Sequence, residues 1–417
     1  MRLTGCDIRA HLAWQRGVGL FLAPLAGLVM LAACLDDPGA PPPGAFTSST
    51  PTPSENGAAF DDQPDGYSGL GDFEFSTDSL PPAERIYFAY GDDIWQIDQA
   101  GDVSEVTSDL EVAGFSASAS GDFLAVLHLE RDGDDEAIEL SVFDDDAEEI
   151  FSLDSIQTEY DIRQIGSIDS VVISPAGSSL AVTFQNGAMS LVSLDGEVRQ
   201  LLQPSGAIQP GRLSWSSDGQ FLAYLDPWMS REPSSLYVQV TARDLREPLA
   251  DAGESAQGIL RARWVPGSPY VVFVKSSGST ISNGGDLFMV DAESGRQELL
   301  MSAGEIAPVA GIVDIAPSPD GEWLAATGFV PGDDHPAFAG LWIKNLQSGL
   351  RTEIDLDSSD PVTDLWWFGD ELLVRTIDEP RTSLPGTYTG REGFRLLQID
   401  PESGDVSERF ADESGEP

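Results

Sequence analysis

From residue 81 onward the chain is built of apolar runs of four to eight residues separated by clusters of Gly, Asp, Ser and Pro, and no stretch sustains a 3.6-residue period. The pattern predicts an all-β chain. One unit recurs, with its best copy at Ser318-Pro319-Asp320-Gly321-Glu322-Trp323-Leu324-Ala325 and the same frame at Ser174-Pro175-Ala176-Gly177-Ser178-Ser179-Leu180-Ala181. Copies with drift start at Ser118 and Ser216, and shorter relatives lie at Trp264-Val265-Pro266-Gly267 and Trp367-Phe368-Gly369-Asp370. The unit reads as a hairpin: Pro fixes φ, Asp caps the turn, Gly supplies a positive φ, and a buried strand follows.

A third and a fourth strand follow each hairpin, as in Asp286 to Asp291, a Glu293-Ser294-Gly295 turn, then Arg296 to Leu300. Four strands per unit make a propeller blade. The second-strand anchors Ile86, Leu124, Leu180, Leu222, Tyr270, Leu324 and Leu372 lie about 48 residues apart on average. The expected fold is therefore a β-propeller of four-stranded antiparallel blades spanning 81–410, with seven blades, or six plus an extra hairpin as the alternative. Phe73-Glu74-Phe75 is the candidate innermost strand of the first blade, and residues 411–417 form an acidic tail. These turn motifs resemble the TolB-like, WD-repeat-like propeller family, in which S-P-D-G-x-x-L-A marks the turn between the innermost strand and the next. The separate N-terminal α/β domain of that family's periplasmic namesake has no counterpart here.

Ahead of the repeats, Arg2, Arg9 and Arg16 precede an uncharged run from Gly17 to Ala33 that falls short of the roughly 20 residues of a membrane span. The run ends in Leu31-Ala32-Ala33-Cys34, which resembles the lipobox of bacterial lipoproteins. That resemblance implies a signal peptide over 1–33 and a lipidated Cys34. Residues 34–80 are dense in Pro, Gly, Ser, Thr and Asp and read as a disordered tether, with a reach of about 35–40 Å by coil scaling. In enteric lipoproteins an Asp after the cysteine favours inner-membrane retention. Leu35 stands there instead, so the expected location is the bacterial cell envelope, on the periplasmic side of the outer membrane or at the cell surface. Cys6 lies in the segment to be removed, which leaves the mature chain without a free thiol or a disulfide.

Charge narrows the partners. With 70 acidic against 22 basic residues the chain carries a formal −48, and Lys275 and Lys344 are its two lysines. Such a surface repels phosphate backbones and anionic lipid, which excludes nucleic acid and confines membrane contact to the anchor. The acidity fits solvation in a saline habitat or attraction of cations.

Candidate chemistry is sparse. The turn motifs are packing elements, so the loop-rich opposite face is the place for a binding surface. Its longer connections run from Glu130 to Glu136, Asp226 to Glu232, Ser276 to Gly285, Val330 to Phe338 and Asp378 to Gly393, four of them in consecutive blades. Trp228, Arg231, His335, Arg381, Tyr388 and Arg391 are the aromatic and cationic residues there that could anchor a partner. Asp132 and Asp134, with Asp144-Asp145-Asp146, and Asp333 and Asp334 beside His335 are weak calcium candidates without an EF-hand spacing. With His128 and His335 the only histidines after the signal and no G-x-S-x-G elbow, Ser-His-Asp hydrolysis is disfavoured. The sequence points to a non-enzymatic envelope protein without a cofactor, a scaffold or binding module for another protein or a wall or surface component. The alternative is a cation-dependent enzyme of the lactonase or sugar-dehydrogenase kind, or a carbohydrate-binding module, in the central channel.

Overall fold

The computed structural model describes Leu70 and, between 75 and 412, everything except residues 82, 91–92, 109, 133–134, 154–167, 204–210, 228–232, 244, 252–257, 277–284, 304–310, 331–336, 357–361 and 378–393. All of the described residues fall in one compact unit, Ala59–Pro417.

The described chain is all-β and repeats one up-down meander. The first comprises β1 (Arg85–Tyr90), β2 (Asp93–Asp98) and β3 (Val103–Glu105). The second holds β4 (Val112–Ala117), β5 (Leu124–Asp132), β6 (Asp135–Phe143) and β7 (Glu149–Ser152), and the third β8 (Ile168–Ile173), β9 (Ser179–Phe184), β10 (Met189–Ser193) and β11 (Val198–Leu202). The fourth is β12 (Gly211–Trp215), β13 (Phe221–Asp226), β14 (Ser235–Val240) and β15 (Leu245–Ala250). The fifth is β16 (Ile259–Trp264), β17 (Tyr270–Ser276), β18 (Gly285–Asp291) and β19 (Gln297–Met301). The sixth is β20 (Gly311–Pro317), β21 (Trp323–Val330), β22 (Ala337–Asn345) and β23 (Arg351–Ile354), and the last β24 (Val362–Phe368), β25 (Glu371–Ile377), β26 (Phe394–Ile399) and β27 (Val406–Asp412). Pairing within each meander is antiparallel between sequence neighbours, and a single Gly285–Ile312 pair joins the fifth to the sixth. This is a propeller-type architecture.

Each pair of consecutive meanders shares an apolar cluster. The second strands therefore have both faces covered and read as unbroken buried runs, Phe221 to Asp226 and Val271 to Val274 among them, rather than as alternating ones. Tyr87 and Ile94 meet Leu124 and Val126 between the first two, and Phe221 and Leu236 meet Trp264 and Phe273 between the fourth and fifth. Phe88 and Ile97 of the first meander likewise pack on Leu373 and Phe394 of the last. Polar contacts reinforce that seam, where Arg375 Nη1 donates to Ala89 O at 2.9 Å and Arg409 Nη2 to Gln99 O at 2.9 Å. Burying one such large apolar side chain contributes about 1.5–3 kcal/mol.

The repeated turn is built as its residues dictate. In the copies headed by Ser118, Ser174, Ser216 and Ser318, the glycine N–H donates to the serine carbonyl at 3.1, 2.9, 3.0 and 3.0 Å. Those glycines sit at φ 83°, 71°, 68° and 72°. The serine Oγ, more than the aspartate, is the cap: it accepts the N–H of the residue five positions on, at 3.1, 3.1, 3.0 and 2.9 Å. Asp218 and Asp320 add a second layer by accepting the N–H of Gln220 and Glu322 at 2.9 Å.

Two expectations change. The packed body takes in Leu70 and residues 75–80, ahead of the boundary at 81. Phe75 is not a strand of the first meander, because its ring stacks on Phe221 at 4.6 Å and lies 6.1 Å from Trp264, a dry niche between the fourth and fifth meanders. Phe73 and Glu74 lie outside the described residues. From Phe75 the segment crosses the turn face. The Thr77 and Asp78 carbonyls close on Gly267, where a β-carbon would stand 3.3 and 3.2 Å from them, and Leu80 N–H donates to Pro319 O at 2.9 Å. Glu84 N–H then reaches Ser120 O at 3.0 Å before β1 begins. The second correction concerns Glu130 to Glu136, expected as a long loop. β5 and β6 run on to the pair Asp132–Asp135, so that connection is a tight hairpin.

Candidate functional site at the loop end of the first strands

The first strands of consecutive meanders lie side by side, β4 by β8, β8 by β12, β12 by β16, β16 by β20 and β20 by β24. Each breaks register with its second strand near its start, between Val112 and Gly114, Ile168 and Ser170, Gly211 and Ser214, Ile259 and Arg261, Ile312 and Asp314, and Val362 and Asp364. A bulge at the same level in each of these six meanders bends the strand and re-aims the side chain that follows. Counting back four residues from the turn heads Ser118, Ser174, Ser216, Val265, Ser318 and Phe368 gives one level of the structure: Gly114, Ser170, Arg212, Arg261, Asp314 and Asp364. That level is neutral in two meanders, cationic in the next two and acidic in the last two.

The arginines crowd together. Arg261 is buried and its Nε stands 3.4 Å from Asp314 Oδ1. Arg263, two residues on, donates to Ala262 O at 3.2 Å, and Arg212 holds a positive φ of 55° in its bulge. Burial pushes the Arg212 guanidinium down to about 9, helped by the charges of Arg261 and Arg263 and opposed by Asp314. Burial also lowers Arg263, again with Asp314 opposing and Arg261 assisting. On the acidic side, Asp364 Oδ2 pairs with Arg375 Nη2 at 2.6 Å, and Arg375 Nε donates to Thr363 Oγ1 at 3.1 Å. Asp169, in the β8 bulge, has its carboxyl raised by burial.

The start of each first strand shares an end of its meander with the second-to-third connection. Those connections are 133–134 and 185–188 in the second and third meanders, against 227–234, 277–284, 331–336 and 378–393 in the last four. The charged level and the long connections therefore come from the same four meanders. Arrangements of this kind can bind an anionic group against the guanidinium side, and they leave the two carboxylates engaged by guanidinium rather than open to a cation. Two clefts of about 270 and 370 Å³ lie at the opposite, turn end, beside Trp215 and Asp218 and beside Phe368 and Arg409.

Cys34, Trp228, Arg231, His335, Arg381, Tyr388, Arg391, Asp134, Asp333 and Asp334 lie outside the described residues. Asp132 closes β5 opposite Asp135. Asp144 spends one carboxylate oxygen on its own turn, accepting from Asp146 N–H at 3.1 Å and Glu148 N–H at 2.9 Å. His128 sits on β5 with Nε2 3.1 Å from Ser141 Oγ, a strand contact. Among the described residues no group of three His, Cys, Asp or Glu side chains is placed to hold a metal. Sequence reasoning missed Arg212, Arg261, Arg263, Asp314 and Asp364. Their common offset from the turn heads, in runs otherwise apolar, was the available signal.

No protein-family model matches the chain, and no curated protein sequence does. Solved structures do. A prolyl endopeptidase matches over 80% of this chain at TM-score 0.57 and 11% identity, and this chain spans about half of it, 49%. An oligogalacturonate lyase from Vibrio parahaemolyticus matches over 79% of this chain and 86% of its own at TM-score 0.51 and 11% identity. A puromycin hydrolase matches over 82% of this chain and 55% of its own at TM-score 0.51 and 14% identity. At these identities the likeness is one of fold, a propeller-type fold that hosts enzymes.

Proposed function

We propose that the chain is a non-enzymatic lipoprotein of the bacterial cell envelope, anchored through Cys34, whose seven-bladed β-propeller presents its loop end as a binding module. The repeated meanders support that count, as does the seam between the first and the last, where Phe88, Phe394, Arg375 and Arg409 make contact. One observation carries the binding reading: the four meanders with long connections are the four whose first strands bring charge to one level. Function in propellers concentrates where such loops crown a rigid frame. Trp228, Arg231, His335, Arg381, Tyr388 and Arg391 fall in those connections or beside them and supply the partner contacts, the partner being an envelope protein or a wall or surface component.

The second reading is a cation-dependent enzyme or carbohydrate-binding module in the channel. Its clearest carboxylates, Asp314 and Asp364, are held by Arg261 and Arg375, which a cation would have to displace. Crosslinking of the full chain in the intact envelope, followed by identification of what is captured, tests the proposal. Expected is one partner lost on joint substitution of Trp228 and Tyr388 by Ala. Capture of nothing, together with calcium or manganese binding in a titration, would replace it with the second reading.

A further inference from the structure

We infer that Arg212, Arg261 and Arg263 form an anion site at the loop end of the channel that takes a carboxylate-bearing ligand rich in hydrogen-bond donors. The inference rests on the loop-end binding reading and gives it a ligand chemistry.

Three observations converge. Only 22 of the 417 residues of a chain with a formal −48 are basic, yet two neighbouring first strands bring Arg212 and Arg261 to one level, with Arg263 two residues beyond it. The acid that opposes the lowering of both Arg212 and Arg263 is Asp314, which also stands 3.4 Å from Arg261 Nε. Asp314 thus pairs directly with Arg261, and its charge also acts on Arg212 and Arg263. Gathering like charges out of water is costly, and a bound anion offsets that cost. Arg212 is moreover held at φ 55°, a left-handed conformation that favours Gly and strains an ordinary side chain. Neither feature serves the blade: Gly114 and Ser170 occupy the same level in the second and third meanders and build the same bulge without them.

The neighbouring side sets selectivity. Asp314 and the Asp364–Arg375 pair follow directly on the next two first strands. A guanidinium fork suits a planar carboxylate bidentately, and Asp314 beside it accepts from hydroxyl or ammonium donors while repelling further negative charge. A ligand with a carboxylate at one end and donors along its length fits both sides. A compact polyanion such as phosphate meets Asp314 unfavourably.

The test is isothermal titration of the full-length chain in a non-ionic detergent with gluconate, glutamate, inorganic phosphate and, as the uncharged control, glucose. Saturable binding of gluconate or glutamate is expected, with phosphate about tenfold weaker or worse and glucose silent. The double variant Arg261→Gln/Arg263→Gln should lose at least about tenfold in affinity, about 1.4 kcal/mol, while Arg199→Gln, on exposed β11, changes nothing. If circular dichroism shows the double variant unfolded, Arg212→Lys, which keeps the charge and removes the fork, is read by the same titration and the same expectation. Absence of heat with every probe, equal binding by the variants, or phosphate binding as well as the carboxylates overturns the site. A partner captured in the envelope alongside a silent titration sinks this inference alone, and the reverse outcome sinks the scaffold reading alone.

Discussion

The two ends of the first strands obey different rules. At the turn end the meanders are near copies: Ser118, Ser174, Ser216 and Ser318 cap the same turn with the same hydrogen bonds. At the loop end, four residues earlier, the level reads Gly114, Ser170, Arg212, Arg261, Asp314, Asp364, and no two neighbouring pairs are alike. Where these meanders make the same corner, chemistry is repeated; where the first strands of neighbouring meanders lie side by side, each can differ. Repetition here carries stability, and departure from it leaves room for the recognition proposed above.

That contrast can be broken most forcefully at the turn end. Phe221 is fully buried, stacked on Phe75 and 5.9 Å from Trp264, so Phe221→Ala should cost about 3–5 kcal/mol in chemical denaturation. A loss under about 1 kcal/mol would show that the turn end does not carry the fold. At the loop end the sign reverses. Arg212→Gly relieves the left-handed strain and removes a half-buried cation, and after glycine's own entropy cost should raise stability by about 1 kcal/mol while weakening carboxylate binding. A destabilised variant would mean that Arg212 is structural. The smallest effect belongs to Asp400, whose exposed carboxyl is held below the usual carboxylate range by the N–H groups of Ser403 and Glu402. Its stabilisation is present above the unfolded value and fades as pH falls through the folded one, so Asp400→Asn should leave neutral stability nearly unchanged and flatten the acid limb of a pH–denaturation profile. An unchanged acid limb would remove Asp400 from that account.

How much of this was legible varies with what each residue depends on. All seven anchors expected to start second strands, Ile86 to Leu372, lie on or at the head of β1, β5, β9, β13, β17, β21 and β25. Local turn chemistry and a local apolar run suffice for that. Glu130 to Glu136 misled because acidic composition resembles a loop, whereas the backbones of β5 and β6 stay in register as far as Asp132 and Asp135. Phe75 misled because its partners, Phe221 and Trp264, lie far along the chain. The arginine level was written in the spacing but hidden inside apolar runs, where each charge in isolation reads as a lapse of pattern. It emerges only when the first strands are set side by side.

The crossing segment bears on how the molecule takes load. Tension applied from the N-terminal side enters the fold at Leu70, whose N–H holds Ala292 O at 3.2 Å, and at the Phe75 wedge. It is then shared along Gly267, Pro319 and Ser120 before it reaches β1. The seam between the first and last meanders, the place where a ring of sheets would peel open, is therefore sheltered from a pull along the chain.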